Sequence, residues 1–133
     1  MKVAILDYGA GNLHSLAKVV TRQGVTATVE TDLRVAAVAD ALILPGVGAF
    51  GSAVAAIDRD REYVTAAIAD GLPVLGICLG MQLLFDESEE GTGRGLGVVP
   101  GRVRKLRSRR VPQIGWNELE LAGDSLFERT HLA

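Results

Sequence analysis

Strand-like apolar runs alternate with amphipathic segments of helical length, which predicts an α/β fold: a mainly parallel sheet flanked by helices. The composition agrees. Apolar residues make up 48% of the chain but aromatics only 5%, so the core has to be built from Val, Leu, Ile and Ala, the stock of parallel sheets buried on both faces. With 133 residues, the chain 1–133 reads as a single domain.

Each element has its own local signal. Val3-Ala4-Ile5-Leu6 reads as a buried strand ending at Asp7, after which Leu13, Leu16, Ala17 and Val20 repeat at helical spacing until Gly24. A second strand fits Thr26 to Glu30, a short amphipathic helix Leu33 to Val38, and a third strand Ala41 to Leu44, stopped by Pro45. Val54, Ile57, Val64, Ala67 and Ile68 then suggest one broken helix or two. Val74 to Ile77 forms a fourth strand that delivers Cys78 to a helix beginning at Leu79. Right-handed crossovers between such strands make the sheet parallel and gather reactive groups at the carboxyl ends of the strands. Three loops fall there: Asp7 to Asn12, Pro45 to Gly51 and the turn at Cys78. Past Phe85 the chain turns acidic and Gly-rich from Asp86 to Gly97. Alternation from Arg102 to Leu121 then predicts an antiparallel extension after about residue 98.

The only cysteine stands in Gly76-Ile77-Cys78-Leu79-Gly80, between predicted strand and predicted helix. A lone cysteine is more often a small buried hydrophobe than a nucleophile. The strand-to-helix setting changes that balance, because two flanking glycines leave room for a strained turn that thrusts a side chain upward, and a helix starting at Leu79 aims free N–H groups at the sulfur. A thiolate attacking an amide also needs donors for the oxyanion. Leu79 N–H is one candidate, and Val47 or Gly48, on the Gly-rich loop leaving the neighbouring strand, would supply the second; that loop is equally readable as an ordinary turn. The proton acceptor is harder to find. His14 opens the first helix and His131 lies near the end, neither followed by the expected His-x-Glu.

Other chemistries fit poorly. After the first strand, Gly9-Ala10-Gly11 lacks the third glycine of a dinucleotide loop, since His14 stands in its place. There is no Walker-type sequence and no metal-ligand spacing, so neither cofactor nor metal is expected. The basic run Arg102, Arg104, Lys105, Arg107, Arg109 and Arg110 has no interleaved aromatic and fits a solvated strand pair or a protein interface better than nucleic-acid binding. The sequence shows no charged-then-apolar leader and no apolar run near ~20 residues, so a cytoplasmic protein away from membranes is expected.

Four runs together carry a resemblance: Asp7-Tyr8-Gly9-Ala10-Gly11-Asn12-Leu13, Leu44 to Gly51, Gly76 to Phe85, and Pro112-Gln113-Ile114-Gly115-Trp116-Asn117. Over essentially its whole length the chain resembles the glutamine amidotransferase subunit of imidazole glycerol phosphate synthase, a class-I, triad-type amidotransferase with a flavodoxin-like fold. The resemblance implies glutamine hydrolysis, with ammonia passed to a cyclase subunit, a (β/α)8 barrel, in a heterodimer of histidine biosynthesis. It implies that Cys78 forms the glutamyl thioester, that Gly46, Gln82 and Glu90 line the glutamine pocket, that Gly46 to Gly48 match the oxyanion strand, and that Asn12 and Trp116 face the cyclase. Members of that family continue for several tens of residues and carry there the His and Glu of the triad. The chain is therefore expected to be incomplete at its C-terminus, as a fragment, an interrupted frame or a degenerate subunit, and nearly inactive as a glutaminase by itself. A non-catalytic module that docks on the cyclase, and the glutaminase subunit of another triad amidotransferase, are the alternatives.

Overall fold

The computed structural model describes residues 1–9, 11–112 and 114–118. The chain runs β1 (Lys2–Leu6), α1 (Leu13–Thr21), β2 (Thr26–Glu30), α2 (Leu33–Ala36), β3 (Ala41–Leu44), α3 (Phe50–Ile57), α4 (Arg61–Ala69), β4 (Val74–Gly76), α5 (Leu79–Leu83), β5 (Phe85–Ser88) and β6 (Val99–Val103). A 3-10 turn at Asp58–Asp60 separates α3 from α4, which resolves the broken apolar pattern into two helices.

β1 to β4 form a parallel sheet in the order β2-β1-β3-β4. The strand order reverses direction between β1 and β3, where such sheets open a crevice at their carboxyl ends. Alternating side chains divide the core in two. Ala4, Leu6, Leu42 and Leu44 face α2 to α5 in one cluster with Phe50, Ile57, Val64, Leu79 and Leu83. Val3, Ile5 and Ile43 face α1, packed against Leu13, Leu16, Ala17 and Val20. Phe50 is almost wholly buried, and burial of a side chain of this size stabilises the fold by roughly 1.5–3 kcal/mol.

Local chemistry sets the helix ends. Asp32 caps α2 by accepting the Arg34 N–H at 2.8 Å, satisfying a donor with no partner inside the helix. α4 closes with Gly71 N–H donating to Ile68 O and Leu72 N–H to Ala67 O, both at 3.0 Å, a Schellman ending.

The extension differs from expectation. β5 and β6 pair in parallel, not antiparallel, with Phe85 opposite Val99 and Ser88 opposite Val103. Antiparallel pairing needs a hairpin, whereas residues 89–98 fold back to the start of β5: Gly95 N–H donates to Asp86 O at 2.9 Å and Leu96 N–H to Leu83 O at 2.7 Å, with Leu96 buried. The chain thus re-enters beside β5 in the same direction. Among the described residues after Val103 there is no strand, and Leu119 to Leu121 lie outside the described residues. The basic run meets acidic neighbours: Arg102 pairs with Glu87 at 3.5 Å and Glu89 at 3.9 Å, and the Lys105 N–H donates to Glu89 at 3.0 Å. That N–H above all, helped by Arg102, Arg107 and Arg104, holds the Glu89 carboxyl below its usual range against the opposing effect of burial.

Candidate active site

β4 ends at Gly76, and the ladder runs one step further, with Ile77 N–H donating to Leu44 O at 2.9 Å. The chain then reverses sharply. Gly80 N–H donates back to Ile77 O at 3.0 Å, closing a four-residue turn with Cys78 at its second position, φ 53° and ψ −107°. These are the angles of a type II′ turn at the position normally given to glycine, and Cys78 is the only non-glycine residue with positive φ among those described. The strained residue is exposed at the carboxyl end of the sheet, as a nucleophile elbow requires.

The flanking glycines are required by close approach. A Cβ on Gly76 would stand 2.6 Å from Met81 Cα, and one on Gly80 would overlap the Leu44 carbonyl. A Cβ on Gly46, in the loop after β3, would stand 2.5 Å from Leu79 Cβ and 2.8 Å from Gly80 N. The Pro45–Gly48 loop therefore lies directly against the start of α5. In that loop Val47 and Gly48 are exposed, and Gly48 has φ 128°. Within α5, Gln82 N–H donates to Cys78 O at 3.1 Å, while Leu79 N–H meets no acceptor among the described residues. α5 is only five residues long, so its effect on the sulfur is that of a few N–H groups at one turn.

Beside the elbow, Gln82 Nε2 donates to Glu90 Oε2 at 2.7 Å. Ser88 Oγ donates to Gln82 Oε1 at 3.2 Å and accepts the Glu90 N–H at 3.1 Å. The two pocket residues expected from the sequence are thus held together by Ser88, a buried hydroxyl that sequence reasoning missed. A serine ending a short strand inside an acidic loop carries no local sign of such a role.

Asn12 has a structural duty: its Oδ1 accepts the Ser15 N–H at 3.1 Å and caps α1. It remains exposed, and Trp116 is fully exposed. His14 lies on α1, and His131 lies outside the described residues. Among the described residues no group of three His, Cys, Asp or Glu side chains is placed to hold a metal ion, and no helix is long and apolar enough to cross a membrane.

Residues 4–130 match the model of the family described as glutamine amidotransferase class-I. The chain belongs to that family. The parallel sheet flanked by helices is the architecture expected of a class-I amidotransferase. Similar curated proteins include the "Imidazole glycerol phosphate synthase subunit HisH" of Methanothermobacter thermautotrophicus, 49% identical over 125 residues, covering 92% of this chain and 63% of that one. A protein of the same name from Thermus thermophilus is 48% identical over 126 residues, covering 92% and 64%. The Trichormus variabilis protein of that name is 48% identical over 135 residues, covering 98% and 64%. The chain spans just under two thirds of the length of these relatives.

Proposed function

We propose that this amidotransferase chain carries the glutamine site of an imidazole glycerol phosphate synthase, and that residues 1–133 belong to one amidotransferase domain. The observation that carries this reading is Cys78 at the turn position with φ 53°, exposed between two glycines that tolerate no side chain. Family membership and relatives at 48–49% identity support the substrate assignment.

In this reading the Cys78 thiolate attacks the side-chain amide carbon of glutamine. The oxyanion that forms accepts hydrogen bonds from Leu79 N–H and from a main-chain N–H of Val47 or Gly48, across the contact between Gly46 and Leu79. The amide nitrogen takes up a proton from water, and collapse then breaks the C–N bond, expelling ammonia and leaving a glutamyl thioester. Water then attacks the thioester, restoring the thiol and releasing glutamate. Gly46 and the Gln82–Glu90 pair line the glutamine pocket, with Ser88 keeping Gln82 and Glu90 in register. Ammonia passes to a cyclase subunit, a (β/α)8 barrel that pairs with this chain as a heterodimer through the face holding Asn12 and Trp116. Cytoplasmic histidine biosynthesis is the setting.

A glutamine analogue with an electrophilic carbon in place of the amide tests the site. Mass spectrometry should find one adduct, on Cys78, and glutamine should protect against it; labelling indifferent to glutamine would refute the assignment. Because Trp116 is the only tryptophan and fully exposed, docking of the cyclase should shift its emission to shorter wavelength. A shift unaltered in Cys78→Ser, together with no labelling, would favour the non-catalytic docking module.

A further inference from the structure

Tyr8 is a buried polar group that the reaction outlined above leaves unused. It follows β1 and packs against the core cluster that contains Leu79, the residue after the nucleophile. Its hydroxyl oxygen is shut off from solvent and has no hydrogen-bond partner among the described residues. A phenylalanine would fill the same space without leaving a buried hydroxyl unpaired, so the hydroxyl calls for a partner.

The sheet order shows which groups share its end of the sheet. Ile5 stands opposite Ile43, and Leu44 opposite Gly76. In the order β1-β3-β4 the carboxyl ends lie side by side, so Tyr8, two residues past β1, and Cys78, two residues past β4, stand at the same end of the sheet. Two strand spacings separate β1 from β4, roughly 10 Å between backbones, and a tyrosine side chain spans much of that distance. Burial first, and then the charge of Cys78, oppose ionisation of the Tyr8 hydroxyl, raising it above the usual tyrosine range, so it remains a proton donor.

We propose that Tyr8 is a positioning residue for Cys78: the exposed Cys78 side chain, which does not meet the Tyr8 hydroxyl in this structure, turns toward it once the thiol has ionised, and the hydroxyl then donates a hydrogen bond to the sulfur. The proton stays on the phenol and no bond to it breaks. The proposal rests on Cys78 being the nucleophile, and it extends the site to the loop after β1.

The test is alkylation of the single cysteine by iodoacetamide in the intact chain and in Tyr8→Phe, at pH 7.5 and at pH 10. A hydrogen bond to a charged group predicts alkylation about tenfold slower in Tyr8→Phe at about pH 7.5, and rates within about twofold at about pH 10, where ionisation no longer limits. Equal rates at the lower pH, or equal slowing at both pH values, would overturn it. If Tyr8→Phe does not fold, the ring carbon bearing the hydroxyl can be followed by NMR in the wild-type chain. Tyr8 and Tyr63 are the only tyrosines, so Tyr63→Phe assigns the signal. A step in the Tyr8 resonance with thiol ionisation, lost in Cys78→Ser, supports the contact, and its absence refutes it. Neither readout involves glutamine, so failure of analogue labelling would count against the glutaminase reading alone.

Discussion

Replacing Cys78 by glycine should make the protein more stable, although it removes the proposed nucleophile. At φ 53° and ψ −107°, an L-residue occupies a sparsely populated region that costs about 1–3 kcal/mol, whereas for glycine these angles mirror an ordinary extended conformation. Glycine gives back about 0.5–1 kcal/mol through the greater freedom of the unfolded chain. Little packing is lost because Cys78 is exposed. The net gain is about 1 kcal/mol, or a rise in Tm of about 3–5 °C for a domain of this size. Cys78→Ala is the necessary control, since alanine keeps the strain. At unstrained positions alanine is more stabilising than glycine by about 0.4–1 kcal/mol, so the order here should be reversed. Urea unfolding followed by circular dichroism at neutral pH measures both variants. Equal stability, or alanine above glycine, would refute a strained elbow.

Gly80→Ala should cost about 3 kcal/mol in the same urea assay, because its Cβ overlaps the Leu44 carbonyl and α5 has to move; a loss under about 1 kcal/mol would mean that the elbow is less tightly seated. Asp60, nearly buried, accepts from Arg34 Nε at 2.6 Å and from Arg59 Nε at 3.2 Å, and the Arg34 hydrogen bond leads in holding its carboxyl below the usual range. The unfolded chain then takes up a proton before the folded one, so this stabilisation is present above about pH 4 and drains away as pH falls through the lowered value. Asp60→Asn should lower stability at neutral pH and flatten its fall below about pH 4, and an unchanged acid slope would contradict the linkage. On the α1 side of the sheet, exposed Val19 and Leu75 border an apolar groove, and β4 has no partner on its outer edge among the described residues. Such a face should self-associate, so sedimentation should show concentration dependence that Leu75→Lys reduces; a sharp, reversible monomeric unfolding transition would count against it.

Much of this molecule was legible because its signals are local. Ala41 to Leu44, stopped by Pro45, becomes the buried strand β3, and Val74 onward becomes the edge strand β4, since a parallel strand needs only a short apolar run and a turn residue. The elbow was legible for a similar reason, as glycine, cysteine and glycine lie close together in the chain. Ser88 was not legible: its partners Gln82 and Glu90 are set by how β5 leaves α5, and nothing around Ser88 encodes that path. The direction of β6 was misread because alternation reports which face a side chain takes, while direction depends on the preceding segment folding back on Leu83 and Asp86.

By itself the sequence determined the order of strands and helices from β1 to α5, the core composition and the strained cysteine turn, all consequences of periodicity and of steric rules within a few residues. Only the tertiary structure decided the parallel pairing of β5 with β6, the Ser88 link between Gln82 and Glu90, and the unpaired Tyr8 hydroxyl on the Cys78 side of the core. These depend on register and on contacts between distant segments, which packing of the whole chain selects and no local pattern specifies.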